Sequence, residues 1–390
     1  MGNFVDQQPN LVLTEIVVRL LAESSVPAAL TIEQCAQSLS MSMTSFRRKL
    51  AQEETSYKLI QQKYLNELCV KALLTEKPKI EALAISLGYS ERATFERAFR
   101  QKFGITPSRF RELSLNHGAQ HRQNLIAIAN DLPPMPDSCA KLLAESDSGA
   151  LDLACAVAII EKDPVFSGRV IGLASKAIYG KTPTDLREAI GRNLGITTVV
   201  NLAVLYAVKD ALQHHVDPMI IERYCQAFEL APKLMQLTRK QTTSAWFADH
   251  ALAEQMLVFG LLGIFLLAHQ STEHQALIVH SVFGIDDLST LNHHLQQSLS
   301  LSLFGASSLL LSIWHLDAGI IKQLNQLEQI CLSKSKASHE SKLMMLLLNC
   351  LYRIATEHKG VDDLFEKAEL VGIDGFEAIY QEFINQASAA

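Results

Sequence analysis

The chain has 390 residues, of which 48% are hydrophobic and 19% are charged, and its formal net charge is −6. This length accommodates two or three domains with a substantial core. The net charge of the whole chain does not by itself indicate a protein that binds nucleic acid. The charge is unevenly distributed, however. Residues 43–111 contain fourteen Lys and Arg against seven Asp and Glu, whereas residues 118–390 contain twenty against twenty-nine. This asymmetry predicts that the front part of the chain binds an anion.

Three helices are predicted at the front of the chain, and the second and third of them form a pair in which the third is basic. We expect an amphipathic helix over residues 9–23, a helix over residues 32–39 capped by Thr31, and a basic helix capped by Ser42. Such a pair is typical of a helix-turn-helix, because a helix fits into the major groove and its outward side chains can then reach base edges. The segment from Tyr57 to Leu74 is predicted to form one long helix.

A second pair of the same kind follows. Apolar residues recur at helical spacing from Ile80, a tight turn is expected at Gly88-Tyr89, and the next helix ends at Phe103-Gly104. The spacing Phe46-x-Arg48-x-Leu50 in the first pair parallels Phe95-x-Arg97-x-Phe99 in the second. A rigid helix between the pairs would hold both basic helices on one side, about one DNA turn apart.

The match of the second pair to a known pattern is dense. It comprises Ile80, Ala84, Leu87-Gly88-Tyr89, Phe95-Glu96-Arg97-Ala98-Phe99, Phe103-Gly104 and Pro107 to Arg111. These residues resemble the DNA-binding domain of the AraC/XylS family, which implies a double helix-turn-helix domain, here residues 1–117, that binds double-stranded DNA. The first pair departs from the family pattern, since Glu53-Glu54-Thr55 stands where a glycine is expected and Asn66 where arginine is usual.

Helical spacing divides the second basic helix into two faces. Phe95, Ala98 and Phe99 are expected inside, which leaves Arg92, Ala93 and Glu96 as candidates for reading bases. Arginine can bind guanine in bidentate fashion, glutamate can accept from cytosine, and alanine can contact a thymine methyl group.

The remaining candidates are phosphate contacts in the second basic helix, and base readers and phosphate contacts in the first. In the second helix the phosphate contacts are Arg97, Arg100 and Lys102, although Arg97 could instead be paired within the domain. In the first helix the base readers are Met43, Thr44 and Arg47, and the phosphate contacts are Arg48 and Lys49. Any single one of these side chains could also be an ordinary solvated surface residue.

Residues 118–124 are polar and show no apolar periodicity, so we interpret them as a linker. Residues 125–390 are predicted to be all-α. Their landmarks in order are Leu132-Pro133-Pro134-Met135-Pro136, Asp163-Pro164, Tyr179-Gly180, Ala189-Ile190 and Leu194-Gly195. This order resembles the HDOD family, whose members are helical relatives of HD-type phosphohydrolases, usually without their catalytic residues, and occur in bacterial signalling proteins.

The residues for metal chemistry are missing where the resemblance would place them. An HD-type phosphohydrolase uses histidines and an adjacent His-Asp pair to hold a metal that activates water. Here Gly263 and Ile264 stand at the position of that pair, and Gln226 at that of an earlier histidine. Neither glycine nor isoleucine can ligate a cation, so we expect no catalytic residues, no metal site and no cofactor.

The seven cysteines are scattered without a CxxC pair, and the N-terminus lacks a signal-peptide pattern. The apolar stretch from Leu257 to Ala268 is too short to span a bilayer and is expected to form a buried helix. These features indicate reduced thiols in a cytoplasmic protein that does not enter a membrane.

We therefore interpret the chain as a bacterial DNA-binding transcription regulator with a non-catalytic HDOD-like domain. That domain would bind a small molecule, for which a cyclic dinucleotide is a candidate, or a protein partner, or would set a homodimer. The alternatives are an HD-type metal-dependent nucleotide phosphohydrolase with an accessory helix-turn-helix module, and a scaffold that has lost DNA binding.

Overall fold

The computed structural model describes residues 12–53, 55–75, 78–115, 135–213, 216–242, 246–268, 272–314, 316, 318–358 and 360–388. The chain divides into two compact units, which are described separately. Unit 1 comprises Met1–Lys102 and Thr106–Leu115, and unit 2 comprises the remaining residues. The expected linker, residues 118–124, lies outside the described residues.

The described part of unit 1 is helical, as expected. Its α-helices are α1 (Leu13–Glu23), α2 (Ile32–Ser38), α3 (Met43–Gln52), α4 (Tyr57–Thr75), α5 (Ile80–Ser86), α6 (Arg92–Phe103) and α7 (Pro107–Leu115). The helix expected over residues 9–23 begins at Leu13, and the first three residues of the prediction fall outside the described ranges. Thr31 caps α2 through a complete capping box with Gln34, which confirms the predicted helix start.

The predicted long helix between the two pairs is confirmed as α4, whose 19 residues span about 28 Å at 1.5 Å per residue. Its first turns bind the segment that precedes α2. The Tyr57 hydroxyl donates to the Leu30 carbonyl at 2.5 Å, and Gln61 Nε2 donates to the carbonyls of Pro27 and Leu30 at 2.9 Å each. Since α4 packs against both α1 and α7, it connects the two helix-turn-helix pairs as a rod.

Unit 2 is also helical, and no β-strand occurs in its described residues. Its α-helices are α8 (Asp137–Ser148), α9 (Leu153–Ile160), α10 (Pro164–Ala174), α11 (Leu186–Glu188), α12 (Ile196–Leu212), α13 (Pro218–Gln241), α14 (His250–Phe259), α15 (Gly263–Ala268), α16 (Thr272–Gly284), α17 (Leu288–Leu299), α18 (Leu303–Ile313), α19 (Ala318–Cys331), α20 (His339–Thr356), α21 (Asp362–Leu370) and α22 (Phe376–Ser388). A π-helix over Ala189–Leu194 follows α11 directly.

The core of unit 2 is built on helices buried on most sides. The helix α13 packs against α20 and α14, and α18 packs against α15 and α19. Every residue of α15 is buried, as are all but the last residue of α18. Helices without a polar face are the expected centre of a large helical domain.

The apolar stretch from Leu257 to Ala268 is buried as expected, but it is not one helix. It runs through α14 and α15, which are separated by a turn between Phe259 and Gly263. The span His250–Ala268 is long and apolar enough to cross a bilayer by length and composition, but 83% of it is buried within the fold. That burial is the packing of a core helix rather than of a lipid-facing one.

All seven cysteines are free, and five of them are buried. Burial raises the pKa of Cys69, Cys139 and Cys225 to about 12. A thiol with so high a pKa is a poor nucleophile at neutral pH, so these three act as small apolar core residues.

Candidate functional site

The first candidate recognition helix, α3, is fixed by its cap and by its buried face. The Ser45 backbone N–H donates to Ser42 Oγ at 3.2 Å, which begins the helix where the sequence predicts. Phe46 and Leu50 are fully buried in a cluster with residues of α1 and α2. The opposite face of α3 is therefore directed outward.

Most of the predicted DNA-binding residues of α3 lie on that outward face. The exposed candidates are Thr44, Arg47, Arg48 and Lys49. Met43 is half-buried and packs against the hydrophobic cluster beneath the helix. The three cations form no salt bridge within the described residues, so their charge is available to an external anion.

Glu53, directly after α3, has a structural role that the sequence did not predict. Its carboxylate accepts hydrogen bonds from the backbone N–H groups of Leu13 and Thr14 at 2.8 and 2.9 Å and from the Thr14 hydroxyl at 2.6 Å. Partial burial opposes ionisation, but these bonds and the charge of Lys49 lower the pKa of Glu53 below 4.5. The carboxylate thus caps α1 and ties it to the end of α3. The only sequence signal for this role is the departure from the family's glycine.

The second helix pair turns at Gly88, whose φ of +83° favours glycine. A Cβ atom on Gly88 would also lie 2.4 Å from Cβ of Ala28, in the segment before α2. Under α6, the Phe95 and Phe99 rings lie 5.8 Å apart, and Phe99 lies 5.8 Å from Phe110 of α7. The turn and the aromatic cluster together orient α6 against the rest of unit 1.

The outward face of α6 carries all of the predicted DNA-binding residues of this helix. Arg92, Ala93, Arg97, Arg100 and Lys102 are exposed, and Glu96 is partly exposed. Arg92 Nε donates to Glu96 Oε1 at 2.7 Å. Arg97 makes no salt bridge with any residue that the structure describes, which favours a role outside the domain over internal pairing.

The segment Gly263-Ile264, where the sequence resemblance places the metal-binding pair of HD-type hydrolases, lies at a helix crossing in unit 2. The Gly263 N–H donates to Ser307 Oγ at 2.8 Å, and that hydroxyl donates to the Gly260 carbonyl at 2.7 Å. A Cβ atom on Gly263 would lie 2.4 Å from both the Leu303 carbonyl oxygen and the Ser307 backbone nitrogen. Ile264 is fully buried. The backbone of α18 therefore fills the space that a larger side chain at position 263 would need.

Within the described residues, no three His, Cys, Asp or Glu side chains are grouped as metal ligands would be. Gln226, at the place of an earlier family histidine, is exposed on α13 and lines a cleft of about 440 Å³. Cationic and imidazole side chains also line this cleft: Lys176, Arg223, Arg353 and His358. His358 Nε2 is buried and has no hydrogen-bond partner in the described structure.

Each of the three cations in the cleft has a carboxylate partner. Lys176 Nζ lies 3.2 Å from Glu229 Oε2, and Arg223 Nη1 lies 3.3 Å from Glu357 Oε2. Arg353, whose side chain is only 1% exposed, forms two bonds of 2.6 and 2.8 Å with Asp363. The cleft is therefore polar, with its cations largely neutralised.

Two family models match successive parts of the chain. The HDOD domain matches residues 132–330, which is 199 of 390 residues, and the Helix-turn-helix domain matches residues 35–113. These matches confirm the helix-turn-helix module of the AraC type at the front and the HDOD domain behind it.

Each of two curated relatives matches about a fifth of the chain. The Ornithine utilization regulator of Pseudomonas aeruginosa is 33% identical over 81 residues, which cover 21% of this chain and 24% of the relative. The HTH-type transcriptional regulator GadX of Escherichia coli K12 is 30% identical over 84 residues, covering 22% of this chain and 31% of the relative. The chain thus spans about a quarter to a third of the length of these relatives.

Among solved structures, a signal transduction protein from Marinobacter aquaeolei VT8 superposes with a TM-score of 0.50 at 17% identity. The match covers 72% of this chain and 66% of that chain. At this identity the likeness concerns the fold alone.

Proposed function

Because the chain belongs to the HDOD domain family and carries an AraC-type helix-turn-helix domain in front, we propose that it is a bacterial transcription regulator that acts in the cytoplasm. In this proposal unit 1 binds double-stranded DNA, and unit 2 is a non-catalytic sensory or interaction domain. The observation that carries the proposal is the pair of recognition helices whose outward faces present cations: Arg47, Arg48, Lys49, Arg92, Arg97, Arg100 and Lys102. The names of the curated relatives, both regulators, support it.

The proposed roles follow from position on each helix. Residues in the first turns of a recognition helix reach base edges, whereas those further along or at the flank reach phosphates. We assign base contacts to Met43, Thr44, Arg47, Arg92 and Ala93, and we place Glu96 beside Arg92 in the base-reading region of α6. The assigned phosphate contacts are Arg48, Lys49, Arg97, Arg100 and Lys102.

DNA binding is tested by reversing two of these charges in the full-length protein. The variant R92E/R100E is expected to lose most of its affinity for duplex DNA, and the dependence of log affinity on log salt is expected to weaken by about 0.9 for each phosphate that the protein no longer neutralises. The control K162E/K181E makes the same change in net charge at two exposed lysines of unit 2. If R92E/R100E binds every duplex as tightly as the parent, α6 is not a recognition helix.

The non-catalytic role proposed for unit 2 is supported by the crossing at Gly263. The close approach of Leu303 and Ser307 leaves no room for a ligating side chain there, which argues against the alternative of a metal-dependent nucleotide phosphohydrolase. Metal analysis of the purified protein distinguishes the two. The hydrolase becomes the better hypothesis if a stoichiometric transition metal copurifies, whereas a regulator of the proposed kind contains none.

The signal that unit 2 receives is proposed to be a small molecule bound in the 440 Å³ cleft, which has the size of an ordinary ligand pocket. The unpartnered His358 Nε2, and Arg223 beside it in the lining of the cleft, could contact a polar ligand such as a cyclic dinucleotide. Calorimetric titration with a panel of cyclic dinucleotides, using R223A as the control, tests this. If no member of the panel binds, a protein partner or homodimerisation through unit 2 becomes the better hypothesis.

A further inference from the structure

The first turn of α6 contains two opposite charges that are bonded to each other, which indicates that they act together rather than as two independent base contacts. Arg92 and Glu96 are one turn apart, and the bond between them joins Nε of the guanidinium to Oε1 of the carboxylate at 2.7 Å. We propose that Glu96 is a positioning residue, which holds Arg92 so that Arg92 reads a guanine. This inference rests on the proposed DNA-binding function and assigns the source of its specificity at one base pair.

Arg92 bonds to Glu96 through Nε and not through its terminal nitrogens. A guanine presents two acceptors side by side in the major groove, O6 and N7, and a guanidinium binds both with two parallel N–H groups. The Nε–H of Arg92 is occupied by Glu96, while Nη1 and Nη2 have no acceptor in the part of the chain that the structure describes. The two terminal nitrogens are thus free to bind the two acceptors of one guanine end-on.

The pair also limits the freedom of a long side chain. The Arg92 side chain is 56% exposed and that of Glu96 is 26% exposed. An exposed pair of this kind contributes little to the stability of the free protein. In the groove the same bond is shielded from water and acts more strongly, and it reduces the rotamer entropy that Arg92 loses on binding. Glu96 therefore improves recognition without touching the DNA.

The charge of Glu96 agrees with this role. A carboxylate brought alone into a DNA groove is repelled by the phosphates, and the cost is offset when an arginine beside it neutralises the charge. If Glu96 read a cytosine directly, its specificity would be independent of Arg92. Positioning and direct reading therefore predict different behaviour when the two residues are changed in combination.

The experiment is selection of binding sites from a random duplex library by the full-length protein and its variants. We expect wild-type protein to enrich a motif with a guanine at one position. The variant R92A should reduce the preference for that guanine by roughly 5- to 150-fold, the value of one bidentate contact. The variant E96A should weaken the same preference by about twofold or more, the upper value of one such i,i+4 pair, and E96Q, which keeps an oxygen for the Nε–H, should restore part of it.

Two comparisons make the test specific to positioning. E96A should have no further effect in the R92A background, because a positioning residue acts only through its partner. The control is E91A, which removes a negative charge from an exposed residue next to Arg92. Within the described residues Glu91 forms no salt bridge with an arginine. E91A should alter overall affinity without altering the preference for guanine.

Several results would overturn the inference. E96A could change the preference at a base pair different from the one that R92A changes, or the two effects could add independently. R92A could lower binding to all sequences equally, which would make Arg92 a phosphate contact. Failure of the wild-type protein to enrich any motif would contradict the DNA-binding function itself, and is distinguishable because it is seen before any variant is compared.

Discussion

Removing the Glu53 carboxylate should loosen the first turn of α1. The α1 helix has no side-chain cap of its own at Val12, so the carboxylate supplies the acceptors for the Leu13 and Thr14 N–H groups at 2.8 and 2.9 Å. Loss of a capping side chain costs about 0.5–2 kcal/mol, and loss of a negative charge at a helix N-terminus about 0.3–1 kcal/mol. Because Glu53 is only partly buried, we expect E53A to lower the free energy of local unfolding of the first turn of α1 by about 1–2 kcal/mol. E53Q, which keeps one acceptor oxygen, should lower it by about half as much.

Hydrogen exchange measured by NMR reports this change directly, because the amides of Leu13 and Thr14 are the donors. A loss of about 1–2 kcal/mol corresponds to exchange that is roughly 5- to 30-fold faster at these amides. The control is Q52A, which alters an exposed neighbour of Glu53. If the Leu13 and Thr14 amides of E53A exchange within about twofold of the rates in Q52A, Glu53 does not cap α1.

The pH dependence of the same amides has a defined sign. The pKa of Glu53 is lower in the folded protein than its ordinary value of 4.5. The capping contribution is therefore fully present above that value and is lost as the pH falls through the lower folded pKa. Protection of Leu13 and Thr14 should decrease in this window in the wild type and stay flat in E53Q.

Three further predictions concern unit 2, each measured by denaturation of the full-length protein. G263A should lower the free energy of unfolding by about 3 kcal/mol, because its Cβ atom would meet backbone atoms of α18 at 2.4 Å; G172A, with nothing within 4 Å, should be neutral or stabilising by up to about 1 kcal/mol. Burial raises the pKa of Glu254 despite its bonds to Thr198 and Asn201, so its contribution to stability is present below about 4.5, the ordinary value, and is lost as the pH rises through the folded pKa; E254Q should flatten this dependence. R353A should cost about 3–5 kcal/mol, since it leaves a cavity and leaves the carbonyls of Asp286 and Gly360 without their donor. D363N should cost less, because Asp363 is 44% exposed and the amide oxygen of an asparagine can still accept a bond from Arg353. A cost for R353A no larger than that for D363N would contradict this ranking.

Local sequence signals predicted the elements that depend on a few neighbouring residues. The starts of α2 and α3 follow from Thr31 and Ser42, whose side chains accept from backbone N–H groups three residues ahead. The turn at Gly88 is predicted from the glycine itself, and its φ of +83° confirms the turn. Interactions over three or four residues are readable from a sequence because the helix geometry that creates them is fixed.

Features that depend on distant partners could not be predicted in this way. The bond from Glu53 to Thr14 spans 39 residues, and nothing near either residue indicates the other. The π-helix over Ala189–Leu194 is another case, because Asn193 and Arg192 at its end bind the carbonyls of Ala174 and Lys181. The i,i+4 spacing of Arg92 and Glu96 was visible, but only coordinates distinguish a bond through Nε from one through the terminal nitrogens.

The crossing at Gly263 links the fold of unit 2 to its proposed function. A hydrolase of the HD type uses a His-Asp pair to hold its metal, and the sequence resemblance places that pair at Gly263-Ile264, where it would need open space between the two helices. Here the space is closed by direct backbone approach, with the Ser307 hydroxyl bonded to both the Gly263 N–H and the Gly260 carbonyl. Since a side chain at position 263 and the backbone of α18 would occupy the same volume, the packing of this domain supports the proposal that unit 2 is non-catalytic.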